Sequence, residues 1–260
     1  MVTPADAAEQ RAASTAKLEH FYDPERIQPA IDTSMGIVLT DTVSTRLHDF
    51  VVRATSTLLA ITGPRRMHTM TPSKMTQVAA SILASAISAG LPTISYFCEI
   101  DRDVQLEEGD TRESLALLAL MYALLKQLTD MLPSDDDDDK PDFGVLDGTL
   151  QTWPQAISLL DDLLSHAPPL LYCIIDGLQC LDDDSTEREL DDLFALLRNH
   201  STHNDMSGVV CKVLLTTAGR SRCLYKNWSN ADMITVEEGG PNPRGVRGGH
   251  RQALGRSFGD

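Results

Sequence analysis

The stretch Leu170-Leu171-Tyr172-Cys173-Ile174-Ile175-Asp176-Gly177 carries six apolar residues in a row, then an aspartate and a glycine, and it is preceded by Pro168 and Pro169. An apolar run with no polar alternation, bounded by turn residues, is the pattern of a strand buried on both faces, as in a parallel sheet covered by helices. Working outward, three further runs read the same way: Leu58–Ile61, stopped by Thr62-Gly63-Pro64; Thr93–Cys98; and Val209–Thr216. A fifth, weaker run spans Met233–Val236.

Between these runs the apolar period changes to that of a helix. Met75, Val78, Ala79, Ile82, Leu83 and Ala86 fall on one helical face, and Gly90 and Pro92 end the segment. Leu47, Phe50, Val51 and Ala54 form a stripe within a helix expected over 42–55. Asp110 and Glu113 have capping-box spacing ahead of a helix that is apolar nearly all round. Pro154 opens another, with Ile157, Leu160, Leu163 and Leu164 inward, and Thr186 and Glu189 cap one carrying Leu190, Leu193, Phe194 and Leu197. Strands alternating with helices predict a three-layer α/β/α domain with a mostly parallel sheet, over residues 42–237.

The flanks differ in composition. Residues 1–41 are rich in Ala and charge and are broken by Pro24 and Pro29, which predicts a partly disordered or helical lead-in. Residues 134–142 include five consecutive aspartates, a density of charge that demands a solvated loop. The Gly-, Pro- and Arg-rich segment 238–260 has no apolar period and is expected to be disordered.

The 260-residue chain has a net charge of −16, which argues against nucleic-acid binding, because phosphate affinity requires clustered Lys and Arg. Five scattered cysteines, an odd number within apolar runs, fit free thiols in a reducing compartment. The longest apolar run, Leu115–Leu125, is well short of the roughly 20 residues of a membrane span. The expectation is a cytoplasmic protein that does not engage a membrane.

In open parallel sheets, ligands bind at the carboxyl ends of the strands, and three loops there carry candidate chemistry. The first runs from Gly63 and Pro64 to Ser73, Lys74, Met75 and Thr76. A working phosphate loop, G-x-x-x-x-G-K-[ST], wraps phosphates with backbone N–H groups, reaches the β/γ oxygens with its Lys and holds Mg²⁺ with its hydroxyl. Here Lys74 stands eleven positions after Gly63 instead of six, Ser73 replaces the second glycine, and Met75 displaces the hydroxyl one place, to Thr76. The second is Asp176 at its strand end, placed to hold Mg²⁺ through water. Gly177 and Gln179 occupy the positions where a catalytic acid is expected. The third follows Thr216-Thr217-Ala218-Gly219, where Arg220 is placed to sense a γ-phosphate. Each loop alone also reads as an ordinary surface turn; their order along one α/β chain is the stronger signal. His200-x-x-His203 near Cys211 lacks a fourth zinc ligand, and neither acidic run fits an EF-hand.

The runs Leu146-Asp147-Gly148-Thr149-Leu150, Thr152-Trp153-Pro154, Ile175-Asp176-Gly177-Leu178-Gln179 and Thr216-Thr217-Ala218-Gly219-Arg220-Ser221, with Gly90-Leu91-Pro92 and Gly63-Pro64, resemble the fungal NACHT/STAND-like P-loop NTPases of the nephrocystin-like N-terminal type. The likeness covers roughly residues 45–225. It implies a P-loop NTPase fold used in signalling, in a branch whose first phosphate loop is degenerate. Two functions follow as expectations. One is a pseudo-NTPase acting as a signalling or protein-interaction module. The other is an ATP- or GTP-binding switch in which Lys74 contacts phosphate, Thr76 or Ser73 and Asp176 hold Mg²⁺, and Arg220 senses the bound state.

Overall fold

A computed structural model describes residues 15–31, 39–64, 72–101, 103–106, 109–132, 142–202, 208–229 and 232–236. The acidic run of the 134–142 loop, apart from Asp142, and the 238–260 segment lie outside the described residues.

Five strands form one sheet: β1 (Thr57–Gly63), β2 (Thr93–Phe97), β3 (Leu170–Asp176), β4 (Val210–Ala218) and β5 (Met233–Thr235). Their order is β2-β3-β4-β1-β5 and every pairing is parallel. Six α-helices are bounded within the described residues: α1 (Asp41–Val52), α2 (Lys74–Ser88), α3 (Arg112–Met131), α4 (Trp153–Ser165), α5 (Glu187–Thr202) and α6 (Arg222–Asn227). The three-layer α/β/α architecture read from the sequence is the one observed.

Strand order fixes where the helices go. The connection from β1 to β2 crosses the sheet towards one edge, and all later connections run back the other way. Right-handed crossovers therefore put α2 on one face and α3–α6 on the other. The core divides accordingly. Leu59, Ile61, Tyr172, Ile174 and Leu214 pack against α1 and α2, whereas Leu58, Ala60, Cys173, Ile175, Val213 and Leu215 pack against the remaining helices. The period of two along each strand supplies both sets. Helix α3 is apolar and long enough to pass for a membrane span, but 78% of its apolar window is buried inside the fold, so it is the core helix of the second face.

Several local expectations need correction. Val51 is exposed, and the buried stripe of α1 is Val43, Leu47 and Phe50, because the helix starts a residue earlier and ends at Val52. The capping box of α3 is Thr111 with Ser114, one position after the Asp110–Glu113 pair. The hydroxyl of Thr186 donates to the carbonyls of Leu181 and Asp183, so its bonds bind the loop. Packed structure also begins before residue 42. Leu18 and Tyr22 are buried with the core of α3, and the Ser95 hydroxyl donates to the Ile27 carbonyl. At the outer edge of β2, the Gln127 side-chain amide accepts from Ser95 N at 3.0 Å and donates to Ser95 O at 2.9 Å, as a neighbouring strand would.

At the opposite end of the sheet from the candidate site, Lys212 is 1% exposed within β4. Its ammonium donates to the Phe50 carbonyl at 2.9 Å and the Arg53 carbonyl at 2.5 Å. These carbonyls end α1, where a helix lacks donors and carries partial negative charge. Lys212 therefore pins α1 to the central strand, although burial lowers its pKa. Lys212→Ala is expected to lose about 3 kcal/mol, because a buried charge-assisted cluster is broken and a cavity is left. Lys212→Met, which keeps the stem packed, should lose less. Urea midpoints of the two variants check both expectations.

Candidate functional site

The chain leaving β1 turns to one face and the chain leaving β4 turns to the other, so the carboxyl ends of these adjacent strands open a crevice. In register, Gly63 pairs with Ala218 and Asp176 with Thr216, which brings all three candidate loops to one rim.

Asp176 is 4% exposed. Thr216 Oγ1 donates to its carboxylate at 2.5 Å, and the Thr76 hydroxyl, from the first turn of α2, is near enough to favour the ionised form as well. Burial dominates nonetheless and raises the Asp176 pKa above the ordinary carboxylate value. Ser73 caps α2, accepting from Thr76 N at 2.9 Å, and its hydroxyl meets that of Thr76 at 2.8 Å. Ser73, Thr76, Asp176 and Thr216 thus form one hydroxyl–carboxyl chain across α2, β3 and β4. The structure separates two roles that the sequence left open: Ser73 is the cap, and Thr76 is the hydroxyl facing Asp176.

Lys74 is the first residue of α2, is exposed, and forms no ion pair among the described residues. Gly63 ends β1, and its carbonyl accepts from Gly219 N at 2.9 Å. A Cβ on Gly63 would stand 2.6 Å from Met75 Cγ, so the glycine makes room for the methionine that displaces the motif hydroxyl. Pro64 is half-buried, and the loop beyond it, 65–71, lies outside the described residues. Arg220 flanks the same rim but is not directed at Asp176: its guanidinium stacks over the Tyr225 ring, 5.1 Å from the centroid.

Neither Gly177 nor Gln179, after Asp176, supplies a carboxylate. Gly177 has φ +82°, and a Cβ there would come within 2.4 Å of the Cys98 carbonyl oxygen. No residue with a side chain fits this place without moving the β2 exit. Gln179 braces the rim, its Oε1 accepting from Ala218 N at 2.9 Å. Asp182 is held by the Cys223 N–H at 3.2 Å, beneath α6, and Glu99 is drawn to Arg26. Burial also pushes Cys98 well above the usual thiol range and Cys180 to about 11, so neither is a nucleophile near neutral pH. No cluster of three metal-ligating side chains occurs among the described residues. His200 pairs with Asp161 at 2.7 Å.

No known protein-family description matches the chain, and no curated protein matches it either.

Sequence reasoning named Thr76 and Asp176 as candidates; it placed Thr216 and Gln179 in the candidate loops without their contacts to Asp176 and Ala218, and it did not single out Tyr225. Thr216 was legible as the residue two places beyond Leu214 on the same strand face. Gln179 and Tyr225 act through tertiary contacts that leave no sequence signal.

Because the fold favours protonated Asp176, its stabilising share is fully present below the ordinary pKa of 3.8 and is lost as pH rises through the raised native value. Asp176→Asn, a neutral isostere, should therefore gain stability relative to the parent as pH rises across that window. Thermal midpoints at pH 4 and pH 8 check the direction; a difference that stays level or falls contradicts it.

Proposed function

We propose that the chain is a pseudo-NTPase of the STAND/NACHT-like kind, a cytoplasmic signalling or protein-interaction module in which occupancy of the strand-end crevice by a nucleotide replaces turnover. The observation that carries this reading is the closure at Gly177. A carboxylate able to orient attacking water has no room at 177, where the Cys98 carbonyl fills the space of a side chain, and the other expected position holds Gln179, an amide that braces Ala218 N. The one carboxyl in the crevice is buried and already engaged by hydroxyls. Losing such a catalytic contact in comparable sites costs roughly 2.7–4 kcal/mol.

Binding chemistry is better supported than hydrolysis. Lys74, at a helix N-terminus with capped N–H groups behind it, suits the phosphates of ATP or GTP. Thr76 and Asp176 are the pair that would hold Mg²⁺, and the metal would neutralise phosphate charge there. Five free thiols support the cytoplasmic setting, and the net charge of −16 favours protein partners over nucleic acid. The second reading, a switch with slow Mg²⁺-dependent hydrolysis, is favoured by one observation: the Thr76 hydroxyl faces Asp176 despite its displacement in sequence.

Calorimetric titration of the full chain with ATP and GTP, with and without Mg²⁺, alongside phosphate-release assays, separates the readings. The expected outcome is saturable binding with release at background. Lys74→Ala should weaken binding about tenfold or more, the loss of one charge-assisted contact. Release abolished by Asp176→Asn would favour the switch, and the absence of binding at millimolar nucleotide would leave an interaction scaffold alone.

A further inference from the structure

Three cations lie on the segment that follows β4. Arg222 pairs with Asp184 at 2.8 Å, and Lys226 bridges Glu187 and Asp191 at 2.7 Å each. Arg220 forms no ion pair among the described residues. It rests on the Tyr225 ring instead. The ring is itself fixed: the Tyr225 hydroxyl meets Thr235 Oγ1 at 3.3 Å, Thr62 Oγ1 donates to the same Thr235 hydroxyl at 3.1 Å, and Ser221 caps the helix that carries the tyrosine. One residue before the arginine, Gly219 N donates to the carbonyl of Gly63 at 2.9 Å, so the Arg220 backbone stands next to the carboxyl end of β1.

We infer that Tyr225 is a positioning residue that stores the Arg220 guanidinium beside the crevice, so that an anionic ligand must draw it off the ring in order to bind. This rests on the reading of the crevice as a nucleotide site. Stacking keeps the guanidinium away from carboxylates, which would hold it more tightly than a ring face does. The fixed hydroxyl of Tyr225 keeps the ring from following the arginine. Tyr225 thereby sets ligand affinity without touching the ligand, and its influence passes entirely through Arg220.

The test is calorimetric titration of the full chain with Mg²⁺–ATP for the parent, Tyr225→Leu, Tyr225→Phe, Tyr225→Trp, Arg220→Ala and the Tyr225→Leu/Arg220→Ala double variant. Removing the ring should tighten binding about two- to fivefold, the value of an exposed cation–π contact. Tyr225→Phe keeps the stacking face but loses the hydroxyl that fixes the ring, so its affinity should fall between those of the parent and Tyr225→Leu. Tyr225→Trp, with the stronger ring, should weaken binding and keeps the proposal testable if the leucine variant does not fold. In the Arg220→Ala background, the leucine substitution should have no effect. Binding by the parent with no response to the ring series, or a response that persists without Arg220, overturns the storage role and leaves the nucleotide site standing. No binding by any variant overturns both.

Discussion

In the inner strands of a parallel sheet covered on both faces, polar side chains are most easily satisfied at the two ends. In this chain that preference sorts the chemistry. Along the β4 face turned to α1 and α2, the alternation runs Lys212, Leu214, Thr216. The leucine occupies the middle of the layer; the lysine and the threonine fall at opposite ends of the same row. Lys212 finds the unsatisfied carbonyls of α1 and becomes structural. Thr216 finds Asp176 and becomes part of the crevice. The same two-residue period that builds the core therefore delivers one polar group to each end.

The crevice combines features that pull apart. Its position follows from topology, since the chain must leave β1 and β4 on opposite faces. Its hydroxyls and the Lys74 ammonium lie at strand ends and a helix start, whereas the position directly after Asp176 is closed to any side chain by backbone. That block is stronger than a missing residue, because a point substitution at Gly177 meets both a left-handed conformation and the Cys98 carbonyl. Recovery of an acid at this place would require β2 to end elsewhere.

Most of the sheet was legible because a parallel strand needs only an apolar run and a stop. Leu170–Asp176 and Leu58–Ile61 satisfy both conditions; the first kept its bounds, and the second grew by a residue or two at each end, to Thr57–Gly63. Helix α6 was not legible, since the six residues Arg222–Asn227 are too few to show a helical period. Nor was the packing of Leu18 and Tyr22, isolated apolar residues in a polar stretch whose partners lie on α3. In the site, spacing alone pointed to Thr76 and Asp176. The division of labour between Ser73 and Thr76 depends on where α2 begins, and the role of Gly177 depends on a carbonyl from another strand. Both are facts about neighbours in space.

The amide of Gln127 on the flank of β2 has a bearing on how this molecule meets others. Sheets recruit foreign strands through bare backbone at their margins, and β2 is a margin strand whose middle residue already has both its groups taken by a side chain. The substitute comes from α3, the most deeply embedded helix, so it cannot be peeled away without opening the core. On that side the centre of the edge is stitched shut, as cloth is by a hem. A foreign strand cannot pair with the middle of β2, where backbone bonding would matter most, without first displacing the Gln127 amide.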